Sequence, residues 1–365
     1  MERDQRPILL ALTTSMGWRT YGERLYQQAR ANPQDNIVFH PFKPSSLGRR
    51  ISWQPLYADR IVSSLGVLDP FTIAEWQVAA TPVLRKRYAA AIVATQNLAA
   101  GLMRQHPGMP IFILLDVTRE LYRHDFGSWF ITNKDVKREG EILARAAHIF
   151  ALTDWAARSV IRTANVESSR LSIVPPVSFK CRGLPIRRPL LHNGRLQLLF
   201  AGLDFERKGG PRLLRWQREC WSVFADLHIV TRLEHTDRSC PNTIWYGPVD
   251  NDRMIHQIMP RMDFLVHPAV RECSGLVVTE AAGNGVPALV SAVNGLQELV
   301  QHGITGLVAR DDAEFRALIP ELYRNRARVA QMSLSAKMAA DERYSADQVY
   351  STIMNIVRAH LRVPS

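Results

Sequence analysis

Short apolar runs alternate along the chain with longer stretches in which apolar positions recur at helical spacing. The first pattern is that of strands buried on both faces of a parallel sheet, and the second that of the helices covering them. Ile8–Leu12 reads as a first strand, followed by a Gly-containing loop and a helix over Gly22–Ala31. Asn36–His40, Ala89–Thr95, Ile111–Asp116, His148–Leu152 and Leu171–Val174 read as further strands, with helices over Leu98–Gln105 and Trp155–Thr163. Between Pro41 and Arg87 no regular period is visible.

The texture breaks at Pro175-Pro176. Residues 178–195 are rich in Arg, Pro and Gly without an apolar period, which marks a linker. The alternation then restarts with strands at Leu196–Gly202, His228–Thr231, Asp263–Val266, Pro287–Ser291 and Gly306–Val308, and ends in an amphipathic helix over Ser345–Arg362. The fold class expected is α/β, with two doubly wound Rossmann-like domains. The first spans residues 1–177 and the second 196–344, with a terminal helix over 345–365. In such a pair, ligands are expected at the carboxyl ends of the strands, in a cleft between the domains.

Composition narrows the chemistry. At 365 residues with 46% hydrophobic and 22% charged positions, the chain is neither low-complexity nor acidic and disordered. Lys+Arg 46 against Asp+Glu 34 gives +12, which favours phosphate-bearing or otherwise acidic partners. The four cysteines (Cys181, Cys220, Cys240 and Cys273) form no C-x-x-C pair, so neither a zinc ribbon nor a disulfide framework is indicated. No apolar run approaches the ~20 residues of a spanning helix. A soluble, cytoplasmic protein is the expectation. The basic clusters at Arg85-Lys86-Arg87, around Arg187-Arg188 and at Arg324, Arg326 and Arg328 lack the interleaved readout elements of a nucleic-acid interface. A solvated basic face fits them.

Two segments carry candidate chemistry. In Leu199-Phe200-Ala201-Gly202-Leu203-Asp204-Phe205-Glu206-Arg207-Lys208-Gly209-Gly210, a buried strand ends at Gly202 and two adjacent cations precede a helix starting near Pro211. A diphosphate needs fixed positive charge beside backbone N–H groups, and this arrangement offers both. A solvated Arg-Lys turn would look the same locally. In the segment ECSGLVVTEAAGNGVP, Glu272 and Glu280 stand eight positions apart, slightly over two helical turns, with Ser274, Gly275 and Leu276 at the start of the helix. Carboxylates at that spacing can accept hydrogen bonds from two ends of one ligand while helix N-terminal amides hold phosphates between them. Two surface glutamates on one helix remain the alternative.

Taken together, these segments resemble the retaining GT-B glycosyltransferases, the GT4-like family also called glycosyl transferases group 1. The family's E-x7-E followed by G-x-P is matched by ECSGLVVTEAAGNGVP, and its strand-end Gly with R-K-G by FAGLDFERKGG. Leu296–Val308, Glu342-Arg343-Tyr344-Ser345 and Phe150–Pro176 match further family stretches in the correct order. The resemblance implies a hexosyl transfer from a nucleotide-diphosphate sugar (UDP- or GDP-linked) to an acceptor hydroxyl. It implies retention of configuration, a place in glycan, polysaccharide or glycolipid biosynthesis, no metal and no other cofactor. Many acceptors of the family are membrane-anchored, so the resemblance also implies a peripheral contact between the basic clusters and anionic lipid. Arg207 and Lys208 would hold the diphosphate, and Glu272 would contact the donor sugar. Ser274, Gly275 and Leu276 would present amides, Glu280 would bind the ribose, and the Tyr246-Gly247-Pro248-Val249 turn would border the base. The terminal helix would cross back to the first domain. A non-catalytic nucleotide-sugar or glycan-binding protein on the same fold is the alternative.

The chain departs from the family pattern in places. Leu203 stands where many members have Arg, and Cys273-Ser274 replaces Gly-Phe, which leaves the donor sugar open. Gly17 is the residue of the first loop expected nearest the phosphates. Thr95, Asp116 and Thr118, ending two strands of the first domain, are expected to line the acceptor side. Asp250-Asn251-Asp252 spells a metal-binding D-x-D but follows a turn and is read as a turn, as is His124-Asp125.

Overall fold

A computed structural model describes residues 6–14, 17–46, 69–178, 194–233 and 239–362. Most of the expected linker, 179–193, lies outside the described residues, as do residues 47–68 of the segment without a period. The chain forms two compact units, Met1–Pro175 with Val349–Ser365, and Pro176–Gln348.

The first unit is a six-stranded parallel sheet of β1 (Ile8–Thr13), β2 (Ile37–Phe42), β3 (Ala90–Ala94), β4 (Ile111–Leu115), β5 (His148–Ala151) and β6 (Leu171–Ile173). Its order is β2-β1-β3-β4-β5-β6. The helices are α1 (Gly17–Ala31), α2 (Pro70–Ala80), α3 (Gln96–Gln105), α4 (Arg119–His124), α5 (Asn133–Ala144) and α6 (Asp154–Ala164). β1, β3 and β4 are buried along their whole length, as their unbroken apolar runs require. Helices α4 and α5 fill a stretch where the apolar pattern predicts no element. Thr118 caps α4, and a capping box between Thr132 and Asp135 starts α5.

The second unit is also a six-stranded parallel sheet. Its strands are β7 (Leu196–Ala201), β8 (Ala225–Val230), β9 (Thr243–Gly247), β10 (Phe264–His267), β11 (Ala288–Ser291) and β12 (Gly306–Ala309), in the order β12-β11-β10-β7-β8-β9. This is the doubly wound order in which the chain reverses direction across the sheet between β7 and β10. Along β7 the side chains alternate between two cores: Leu196, Leu198 and Phe200 pack on one face, and Leu199 and Ala201 on the other. Helices α7 (Gly210–Trp216), α8 (Leu276–Gly283), α9 (Asp312–Arg324) and α10 (Arg326–Arg343) cover it.

The chain returns to the first unit through α11 (Ala346–Arg362). Val349, Tyr350, Ile353, Met354 and Val357 form its buried stripe, spaced three and four apart. A polar lock adds to it: buried Asp35 accepts from the Tyr350 hydroxyl at 2.9 Å and from the Arg358 guanidinium, with Nε at 3.0 Å.

Candidate active site

In the second unit the strands flanking the switch point, β7 and β10, lie side by side while their outgoing connections diverge, so the two following loops border a crevice at the carboxyl edge. The loop after β7 is built around Asp204, whose carboxylate accepts from the Arg207 amide at 3.2 Å and from Arg207 Nε at 2.9 Å. Phe205, 5% exposed, pins this turn against Phe200 in an edge-to-face pair 5.5 Å apart. Two glycines make room in this turn, and one of them, Gly209, is obligatory. A Cβ on Gly202 would strike the Lys208 stem, and one on Gly209, which sits at φ +82°, would strike the Pro268 carbonyl oxygen.

The loop after β10 is sewn to this turn. Val270 N donates to Arg207 O at 2.9 Å, and Arg207 Nη1 donates to Arg271 O at 2.8 Å. Arg212 adds hydrogen bonds to Pro268 O and, at 2.6 Å, to Asp312. Glu272 is thereby set, 8% exposed, against both cations. Its Oε2 accepts from Lys208 Nζ at 2.6 Å, from His267 Nε2 at 3.4 Å and from Arg207 Nη1 at 3.5 Å. Its Oε1 accepts from the Cys273 amide at 3.2 Å. Burial alone would raise the Glu272 pKa. The adjacent Lys208 charge, the His267 hydrogen bond and the Arg207 charge outweigh that and hold it well below the usual carboxylate range.

Three residues beyond Glu272 the chain enters α8. Gly275 occupies the N-cap at φ +50°, and no side chain caps the helix, so first-turn amides of Leu276 and Val277 face away from any intrahelical acceptor. Ser274 is buried beside them, and Glu280 lies just over one turn along α8, 3% exposed. Val249 is half-buried against the core under β10, just past β9. Of the turn expected at Tyr246–Val249, Tyr246 and Gly247 are the last residues of edge strand β9, with the Tyr246 hydroxyl 2.9 Å from His228 Nδ1, and Pro248 and Val249 follow the strand. Asp250 caps the following turn by accepting from the Arg253 amide at 2.7 Å.

In the first unit, Gly17 and Thr95 follow β1 and β3, the strands at that sheet's own switch point. Gly17 is not in a loop, as expected, but is the exposed first residue of α1, which begins five residues before the sequence pattern suggests. Thr95 precedes α3 at φ +83° and ψ 141°, a strained conformation for a β-branched residue. Gln96 Nε2 donates to Val117 O at 2.9 Å, tying this turn to the one holding half-buried Asp116. Thr118 does not line a ligand surface. It is wholly buried, its hydroxyl capping α4 at Leu121 N and lying 2.5 Å from Ser159 Oγ.

One residue that the sequence reading passed over is His267. It ends β10, has no exposed side-chain surface and contacts Glu272 directly. Its signal was a polar residue closing the run Phe264-Leu265-Val266, five positions before Glu272.

Residues 195–325, the segment carrying this crevice, match the family model described as Glycosyl transferases group 1. A D-inositol 3-phosphate glycosyltransferase of Nocardia farcinica is 26% identical over 232 residues, which are 54% of this chain and 49% of the relative. The aligned stretch thus spans about half the length of that relative. Among solved structures, sucrose-phosphate synthase from Thermosynechococcus elongatus superposes with a TM-score of 0.73 at 15% identity, covering 97% of this chain and 99% of its own. Anabaena HepE, solved in complex with UDP and glucose, gives a TM-score of 0.69 at 14% identity, covering 97% and 100%. The fold is that of the GT-B glycosyltransferases, two Rossmann-like units in one chain.

Proposed function

We propose that the chain is a retaining glycosyltransferase that moves a hexose from a UDP- or GDP-sugar to an acceptor hydroxyl, in the making of a glycan, polysaccharide or glycolipid. The observation that carries this reading is the convergence of Arg207 and Lys208 on Glu272, from the two loops flanking the switch point of a doubly wound sheet. In such a transfer the nucleoside diphosphate departs as charge builds on its bridging oxygen. Cations already held beside the crevice by Asp204 and Glu272 need only a short side-chain shift to meet that charge, and losing one such donor typically costs about 10²–10³ in kcat. With the diphosphate drawing on Lys208, Arg207 and the amides of Ser274 to Leu276, Glu272 would accept from the sugar hydroxyls. Glu280 would serve the ribose and the backbone near Val249 the base. Gly17 is assigned to the donor phosphates, and Thr95 and Asp116 to the acceptor. On this reading two resident cations do the work of a metal, and the reaction belongs in the cytoplasm, with peripheral membrane contact where the acceptor is lipid-anchored.

A thermal-shift screen with UDP-, GDP- and ADP-sugars, in EDTA and in magnesium, tests it. A ligand at 100 times its Kd stabilises by about 2.7 kcal/mol. The expected result is a metal-independent shift with one donor class, abolished by Arg207→Ala and by Glu280→Ala, with anomeric configuration retained in the product. No shift with any nucleotide sugar would overturn the reading. A shift without turnover of any donor would favour a non-catalytic binder.

A further inference from the structure

His267 presents an unusual combination for a core position. Its side chain is fully enclosed, its ring stacks near Phe200 at 6.4 Å and 22°, and among the described residues its Nδ1 has no hydrogen-bond partner. A phenylalanine or leucine would fill that space without orphaning a ring nitrogen. What the imidazole adds is Nε2, which lies 3.4 Å from Glu272 Oε2. For this contact to be a hydrogen bond, Nε2 must carry the proton, which in the neutral ring leaves Nδ1 as a bare acceptor. Burial, aided by the Lys208 charge, pushes the His267 pKa down to about 4, so the ring donates as a neutral group.

We propose that His267 is a positioning residue that keeps the Glu272 carboxylate aimed at the donor sugar once Lys208 and Arg207 turn to the diphosphate. The inference rests on the function proposed above. The three side-chain donors on Glu272 Oε2 differ in kind. Two are cations, which an incoming diphosphate draws away. The third is neutral and enclosed, so it cannot follow the ligand and remains on Oε2, while Oε1, which already accepts from the Cys273 amide, offers its second lone pair to the sugar. A carboxylate released from two of its three side-chain partners would otherwise sample several rotamers, and small misplacements near a reacting centre are costly.

The test compares His267→Gln with His267→Asn in the full-length protein, using the nucleotide sugar that stabilises the wild type and its parent nucleoside diphosphate. The Gln amide nitrogen reaches about where Nε2 stands, whereas the shorter Asn does not, and the two are equally polar. For His267→Asn the expected result is nucleoside diphosphate affinity within about twofold of wild type, with kcat/KM for the sugar donor lowered about tenfold or more. His267→Gln is expected to recover most of that loss. A purely structural role would lower both variants' melting temperatures and weaken diphosphate and sugar donor alike, and that pattern overturns the inference. So does wild-type turnover in His267→Asn. A wild type that binds neither probe removes the proposed function itself, an outcome distinct from either.

Discussion

Lys208 Nζ stands 2.6 Å from Glu272 Oε2, with both side chains largely shielded from water although 64 residues separate them in the chain. Two charges so placed have given up most of their hydration. Their attraction offsets that cost while both are present; without Lys208 the buried Glu272 carboxylate keeps only the longer contacts to Arg207 at 3.5 Å and His267 at 3.4 Å and the Cys273 amide.

Lys208→Met is therefore expected to lower stability by about 1–3 kcal/mol, while Lys208→Met combined with Glu272→Leu regains most of the loss. Chemical denaturation of the two singles and the double reads the coupling directly. Equal and additive losses would mean that the two side chains do not share the burden.

The same pair gives the protein an acid limit. Since Glu272 titrates below its unfolded value of about 4.3, its contribution to stability is complete above that pH and is lost as pH falls through the lower folded value. Glu272→Gln removes this group from the balance. Its melting temperature is expected to be lower than wild type at pH 7, with the difference shrinking steadily between pH 5 and pH 3.

How much of this could be read from the sequence depended on what each residue packs against. β7 was legible because Leu196–Ala201 is buried on both faces, so every position is apolar. β9 was not, because it is a half-exposed edge strand, paired with β8 on one side alone, whose apolar positions do not run its whole length. Helix α5 was hidden by Glu139, a carboxylate in its buried face where the period calls for an apolar residue. At the site, the chemistry of Arg207, Lys208 and Glu272 was visible as residue types. Their meeting was not, since it depends on β7 and β10 becoming neighbours, and the order of strands in a sheet is not written in the order of the chain.

Glycine supplies a third prediction. Gly209→Ala meets two obstacles at once, a positive φ and the Pro268 carbonyl oxygen, which is rigid backbone. Gly202→Ala meets only the flexible Lys208 stem, with no φ penalty. Gly209→Ala is expected to be the more destabilising in denaturant titrations. Gly202→Ala is expected to fold near-normally while weakening nucleoside diphosphate binding, because Lys208 must move to make room.

Glu139 should set an alkaline trend. Its Oε2 accepts from the Arg119 amide at 2.7 Å, but burial pushes its pKa up to about 7 against the pull of Arg119. A group whose folded pKa is raised holds its proton longer when folded. Its contribution is therefore full below about pH 4.3 and is lost as pH rises through 7. Glu139→Gln keeps the acceptor oxygen and cannot ionise. Compared with wild type it is expected to melt higher at pH 8, with the gain fading by pH 5. A gain that does not vary with pH would mean that Glu139 is not the titrating group.

Thr95 supplies the sharpest separation of stability from activity. At φ +83° and ψ 141° its backbone occupies a region that glycine enters readily and a β-branched residue enters at a cost of about 1–3 kcal/mol. Thr95→Gly relieves that strain but frees the unfolded chain, which takes back about 0.4–1 kcal/mol. The net expectation is a gain of about 1 kcal/mol by denaturation. Such strain persists where a neighbouring site uses the residue. Thr95 follows β3 at the switch point of its sheet, so transfer to acceptor is expected to fall in the same variant that folds better. Thr95→Ala distinguishes the two effects, because it keeps a Cβ at the strained φ while removing the hydroxyl and the γ-methyl. It should lose activity with no gain in stability. If Thr95→Gly melts below wild type, the strain is not there to relieve and the functional argument for Thr95 falls with it.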